Sequence, residues 1–113
     1  MLRVAALLNE NYGSGSVECD VTDSYYNMRE IIEKYPHTVR RAEAAYRATG
    51  IEPVTVPIRG GTDGSRLSFD GLPCPNIATG GMNFHGRFEC IAVQDMDAMT
   101  DVLLQILTLN PGA

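Results

Sequence analysis

The sequence predicts an α/β arrangement, and three features carry that expectation. Apolar residues recur at three- and four-residue intervals through residues 28–49 and 96–107, as the buried stripe of an amphipathic helix requires. Two other runs have strand character: Val17, Cys19 and Val21 alternate with Glu18, Asp20 and Thr22, and residues 52–58 (EPVTVPI) are dense in β-branched side chains. The two kinds of run then interleave in the order β-α-α-β-α-β-(β)-α after a short leading helix, which is the α/β pattern.

Taken in order, residues 2–10 read as a helix stub. Leu2, Ala5, Ala6 and Asn9 follow the helical spacing, and Asn11-Tyr12-Gly13-Ser14-Gly15 stops it. So short a helix is marginal alone, and it is expected to be the end of a helix that starts upstream of Met1. Residues 16–22 are expected to form a half-buried strand whose partners are missing or belong to another chain, because an isolated ribbon is marginal in water. Asp23 or Ser24 can cap the following helix. Pro36 divides the long periodic stretch, since proline removes a donor and disfavours helical geometry at Tyr35. Two helices are therefore expected, 24–34 and 36–49, with Pro36 in the first turn of the second and Gly50 ending it.

Residues 52–58 follow as a buried strand with prolines at its edges. Thr62 or Asp63 can cap a short helix that runs to Phe69 and closes at Asp70-Gly71. Residues 75–79 (PNIAT) are a further short strand before Gly80-Gly81, and residues 90–93 are extended. Asp95 caps the last helix, with Met96, Met99, Val102, Leu103, Ile106 and Leu107 on one face and Asn110-Pro111-Gly112 as its stop.

Composition narrows the function classes. The 113 residues fit one small domain or pieces of two, and a hydrophobic content of 44% is too high for disorder. A net charge of -5 argues against non-specific nucleic-acid binding. Arg40, Arg41 and Arg47 are interleaved with Glu43 near Glu33 and read as a solvated helix face. Cys19, Cys74 and Cys90 lack the spacing of a structural zinc site and read as reduced, mostly buried thiols of a cytoplasmic protein. Residues 1–8 are too short and run too soon into polar residues to be a secretory signal or a membrane span. A soluble protein without membrane partners is expected.

The chemistry concentrates in residues 57–89. In Arg59-Gly60-Gly61-Thr62-Asp63-Gly64 a glycine pair leaves a strand and enters a helix, which allows close backbone approach and favours an anion at the helix start. It has neither the Gly-Lys-Ser/Thr of a P-loop nor a dinucleotide fingerprint, and a tight turn capped by Asp63 is the plain alternative. His85 follows the glycine-rich Gly80-Gly81-Met82-Asn83-Phe84, where a catalytic or metal-binding residue often sits. One imidazole is not a zinc site, so a structural or surface role stays open for it. Glu89 can orient the ring or simply be solvated. His37, at a helix start in a charged run, reads as a surface residue.

The run PIRGGTDGSRLSFDGLPCPNIATGGMNFHGRFE resembles the C-terminal segment of the peptidase T family, tripeptide aminopeptidases of the di-zinc aminopeptidase and carboxypeptidase superfamily. The upstream NENYGSGSVECDVTDSYYNMREIIEKYPH is similar to the point where the lid of such enzymes rejoins the catalytic domain. The resemblance implies that residues 1–23 are a remnant of the α+β lid, or dimerisation, domain and residues 24–113 the C-terminal part of the catalytic α/β domain. It implies that His85 ligates one of two zinc ions, Phe88 standing where a family variant has a second histidine. Arg59, Thr62 and Asp63 would line the substrate cleft, Arg59 meeting a peptide carboxylate. Arg66 is a second candidate there, or a surface residue. Gly60 and Gly61 would form the loop backbone, and Gly80, Gly81 and Asn83 would shape the chain around the reacting carbonyl.

The family's remaining zinc ligands, including a His-x-Asp motif, and its general-base glutamate lie upstream, and nothing in residues 1–56 matches them. The chain is therefore expected to be inactive without the missing N-terminal catalytic part, and the complete enzyme to be a homodimer. Three alternatives remain: another di-zinc amidohydrolase such as a dipeptidase or acylase, a dimerisation module pairing through residues 16–22, and an anion-binding domain using the GGTDG turn.

Overall fold

Helix signals that are local in the chain are realised almost where the sequence puts them. The computed structural model describes residues 1–24 and 26–109. Its elements are α1 (Leu2–Tyr12), α2 (Arg29–Ile32), α3 (Pro36–Ala48), α4 (Asp63–Phe69), β1 (Gly81–Met82), β2 (Cys90–Ile91) and α5 (Val93–Thr108). Pro36 starts α3 behind a non-helical Tyr35, and Gly50 follows its end with a φ of 79°, a left-handed turn that glycine adopts without strain. The stop expected at Asn110-Pro111-Gly112, and Tyr25 of the YYNM string, lie outside the described residues.

The packing centre is the seam between α3 and α5. Ala45 and Val102, one from each helix, are fully enclosed. Arg41 crosses the seam, its Nε donating to the carbonyl of Ile106 at 2.6 Å. That carbonyl lies in the last turn of α5, where it has no partner within the helix and where the dipole favours a cation. The expectation of a wholly solvated basic face is thus corrected at Arg41. Arg47 does face outward, beside Glu43 and Glu52 at 3.8 and 3.7 Å. The short α2 touches both α3 and α4 and so links the seam to the site helix.

The strands are where expectation and structure part. The one ladder among the described residues is antiparallel, with Gly81 opposite Ile91 and Met82 opposite Cys90. Residues 16–22, 52–58 and 75–79 belong to no ladder, so the described order is helix-rich, with a small hairpin before α5, in place of the expected alternation. A strand exists only by pairing, and these three segments find no partner here. At residue 17 a side chain replaces the partner: Asn9 accepts from the Val17 N–H and donates to its carbonyl, both at 2.9 Å.

The helix expected over 24–34 shrinks to α2, and one of its two proposed caps, Asp23, is otherwise engaged. Asp23 accepts from the Tyr26 hydroxyl, while Asn27 Oδ1, one residue ahead of the cap position at Met28, takes the Arg29 N–H at 2.9 Å. On α2, Glu33 holds the Arg29 pKa above its ordinary value, mainly through a hydrogen bond and then through its charge. The last helix starts at Val93, with Asp95 in its first turn and Ala92 at the cap position. None of the three cysteines is buried, and Cys90 is exposed, which corrects the expectation of mostly buried thiols.

The molecule is open. Its radius of gyration is 20.3 Å, against about 13 Å for a compact chain of this length. It exposes 9311 Å², against about 6,100 Å² for a compact monomer of its mass. Ala5, Ile32, Ala45 and Val102 make up its buried apolar set among the described residues. No helix among the described residues is long and apolar enough to cross a membrane.

Candidate functional site

The glycine turn enters α4 through a cap that the sequence makes obvious. Thr62 adopts extended geometry at the cap position, and its Oγ1 accepts from the Ser65 N–H at 3.3 Å. Asn76 donates to the same hydroxyl at 3.2 Å, tying the returning segment to the helix start. Gly64 has to be glycine: a Cβ there would sit 2.7 Å from the Cys74 carbonyl oxygen and 2.9 Å from Asn76 Oδ1. One turn later the buried Ser68 donates to the Gly64 carbonyl at 2.7 Å and accepts from the Cys74 N–H at 3.0 Å. Ser65 donates to the main-chain carbonyl of Tyr26, whose ring lies 5.8 Å from that of Phe69. α4 is therefore held from two sides.

Against this helix start lies a cleft of about 520 Å³ lined by Ser24, Gly61, Thr62, Asp63 and Arg66. It joins three of the expected substrate-binding residues, Thr62, Asp63 and Arg66, with Gly61 of the loop backbone. Arg66 lines it from the first turn of α4 and is also exposed. Gly60 turns with a φ of 90°, and neither it nor Arg59 lines this cleft. Ser24, read from sequence only as a helix cap, is an unforeseen member. Asn76 is another residue the sequence reading missed, and its signal was the Pro-Cys-Pro-Asn bend opposite the capped turn.

The second group sits on the loop between β1 and β2. Gly80 turns with a φ of 82°, and a Cβ on it would meet Asp95 Cβ at 2.8 Å, so the glycine lets the hairpin lie against the first turn of α5. A Cβ on Gly81 would meet the Phe84 ring at the same 2.8 Å. Asn83 and His85 both take left-handed backbone, with φ of 56° and 63°. The Asn83 amide donates to the Phe88 carbonyl at 3.3 Å, and the Gly86 N–H donates to the Asn83 carbonyl at 2.9 Å. The carboxylate of Glu89 accepts from the His85 main-chain N–H at 3.1 Å, so Glu89 braces the loop through the backbone and not through the ring. His85 is exposed, as are Phe88 and the Arg87 guanidinium 5.0 Å from the centre of its ring.

No hydrogen bond or ion pair among the described residues joins this loop to the α4 turn. Nor do three or more His, Cys, Asp or Glu side chains come together there to hold a metal ion. An exposed imidazole on a braced loop is a suitable donor for one zinc coordination position, and zinc takes three or four protein ligands. The residues present thus fit a contribution to a zinc site and do not make one.

The fold and the two groups define a helix-rich α/β unit that offers a glycine-turn cleft and, apart from it, an imidazole-bearing loop. No family model matches the chain. It is 54% identical over 106 residues to a peptidase T of Caldanaerobacter subterraneus subsp. tengcongensis, covering 94% of this chain and 26% of that protein. A peptidase T of Vibrio parahaemolyticus is 52% identical over 97% of this chain and 27% of its own length. A peptidase T of Alkaliphilus oremlandii is 54% identical over 90% of this chain and 25% of its own length. The chain belongs to the peptidase T family, matches its C-terminal portion, and spans about a quarter of the length of these curated relatives.

Proposed function

We propose that the chain is the C-terminal part of a zinc-dependent tripeptide aminopeptidase, which releases the N-terminal residue of a tripeptide by attack of water on the first peptide bond. The observation that carries this reading is the identity of more than half over nearly the whole chain to proteins named peptidase T. Residues 1–23 then belong to the lid and 24–113 to the catalytic domain. His85 supplies one ligand to one of two zinc ions, held where the Glu89 carboxylate fixes the loop backbone. Zinc, when bound, lowers the pKa of water and polarises a carbonyl. The peptide binds beside α4: Arg59 meets the substrate carboxylate, with Arg66, which lines the cleft, as the second candidate, while Thr62 and Asp63 shape the wall. Gly80, Gly81 and Asn83 shape the backbone around the reacting carbonyl. The complete enzyme is a cytoplasmic homodimer.

The chain alone holds too few metal ligands to hydrolyse anything. With zinc and a tripeptide it is expected to give no turnover, and turnover abolished by His85→Ala would overturn the proposal. A chimera in which this chain replaces the matching portion of the Caldanaerobacter relative is expected to hydrolyse tripeptides in preference to N-acyl amino acids. The reverse preference would move the assignment to another amidohydrolase.

A further inference from the structure

The Thr62 hydroxyl does more than cap a helix. Its Oγ1 accepts from the Ser65 N–H at 3.3 Å and from the Asn76 carboxamide at 3.2 Å. A hydroxyl carries two acceptor lone pairs and one proton. With both lone pairs taken, Thr62 can act toward anything else only as a donor. The residue lines the cleft beside α4, and no hydrogen bond among the described residues uses its proton.

A carboxamide can meet a hydroxyl with either end, and Gly64 decides which. A Cβ on Gly64 would lie 2.9 Å from Asn76 Oδ1, so a Cα–H of that glycine is aimed at the oxygen. Oxygen accepts such a contact weakly, whereas an NH2 group there would set hydrogen against hydrogen. The nitrogen is thereby turned to Thr62. The segment carrying Asn76 is held on both sides of it. The Cys74 N–H donates to the buried Ser68 hydroxyl at 3.0 Å, and the Ala78 N–H donates to the Tyr46 hydroxyl, also at 3.0 Å. Asn76 is brought to Thr62 by bonds it does not itself make.

We infer that Asn76 is a positioning residue for substrate recognition: it keeps the Thr62 proton turned into the cleft, where the hydroxyl donates to an oxygen of the peptide's carboxylate. The inference deepens the reading above and rests on it. Arg66 lines the same cleft, and a guanidinium also only donates. Two donors facing one cleft suit an acceptor-only anion, which a carboxylate is. Asp63 is the cleft's own carboxylate, and no hydrogen bond or ion pair among the described residues joins it to either donor.

Asn76→Asp keeps the side chain's shape and can only accept, so the Thr62 proton turns to it and leaves the cleft. In the chimera described above this variant is expected to raise KM for a tripeptide about 10-fold, with kcat within about 3-fold. Asn76→Ala leaves the hydroxyl free to rotate and is expected to raise KM only about 3-fold. A merely structural role predicts the opposite order, since Asp is the closer replacement in shape. A double-mutant cycle separates the added charge. In a Thr62→Val background Asn76→Asp is expected to add less than about 2-fold, whereas repulsion of the substrate would persist there.

Two readouts need no activity and use the 113-residue chain itself. In Asn76→Asp the introduced carboxyl is expected to titrate below the ordinary aspartate range, and to return to it in the Thr62→Val background. Exchange of the Ser65 N–H is expected to stay within about 3-fold in Asn76→Asp, because Thr62 Oγ1 still accepts that bond. An Asp variant no worse than the Ala variant, a loss confined to kcat, an undiminished effect in the Thr62→Val background, an unshifted carboxyl titration or a freed Ser65 N–H would each overturn the inference. A chimera that hydrolyses no tripeptide overturns the aminopeptidase reading instead, and the titration then still decides which way the hydroxyl faces.

Discussion

The α4 turn and the β1–β2 loop carry the two halves of the proposed site, and they are built in opposite ways. The turn is fixed by contacts distant in sequence: Tyr26, Cys74 and Asn76 all reach it, and two of its serines are buried. The loop is fixed by bonds that stay within it, among Asn83, Gly86, Phe88 and Glu89, and its side chains are exposed. The difference teaches what each half needs. Five residues of this chain line the cleft, whereas His85 has a shaped loop and no further metal ligands beside it among the described residues.

Substitutions can sharpen that contrast, beginning with the largest effect. In the chimera, His85→Ala is expected to lower tripeptide hydrolysis more than about 100-fold, beyond the usual effect of losing a group that merely supports a metal ligand. The thermal transition of the free chain is expected to stay within a degree or two, because there the ring is exposed. Gly64→Ala should do the reverse. Its methyl collides with main chain that cannot easily yield, and overpacking of this kind costs about 1–3 kcal/mol. Hydrogen exchange through residues 62–76 is the measurement that checks it.

Ser68→Ala is expected to cost about 1–2 kcal/mol at the same site, since it strands the Cys74 N–H. Thr62→Ala should cost about 1 kcal/mol through loss of the cap, read as faster exchange in the first turn of α4. The smallest effect is expected from Glu89→Gln, which keeps an acceptor for the His85 N–H. Glu89→Ala should speed exchange at that amide and leave α4 untouched. If either loop variant disturbed α4, the separation of the two halves would be wrong.

What the sequence makes legible follows the range of the forces involved. Pro36, Gly50, Thr62 and Asp70-Gly71 act on neighbours within four residues, and the helices they bound stand within a few residues of expectation. The three expected strands depend on partners far away or outside the chain, so Val17, Val54 and Ile77 show the pattern without the pairing. Arg41 looked like one charge among several because nothing local reveals the Ile106 carbonyl 65 positions on. Glu89 bonds to His85 through the main-chain N–H and not the expected ring, a distinction that spacing alone does not make. The grouping of Gly61, Thr62, Asp63 and Arg66 was legible because four of the cleft's residues are nearly consecutive; Ser24 arrives from another stretch.

The backbone at His85 has one more consequence. A side chain in left-handed geometry is disfavoured by about 1 kcal/mol relative to glycine, and His85→Gly would relieve that strain. A glycine variant should therefore make the free chain slightly more robust while removing the ring. The hairpin tip then marks a position where the backbone favours glycine and the proposed metal ligation needs an imidazole.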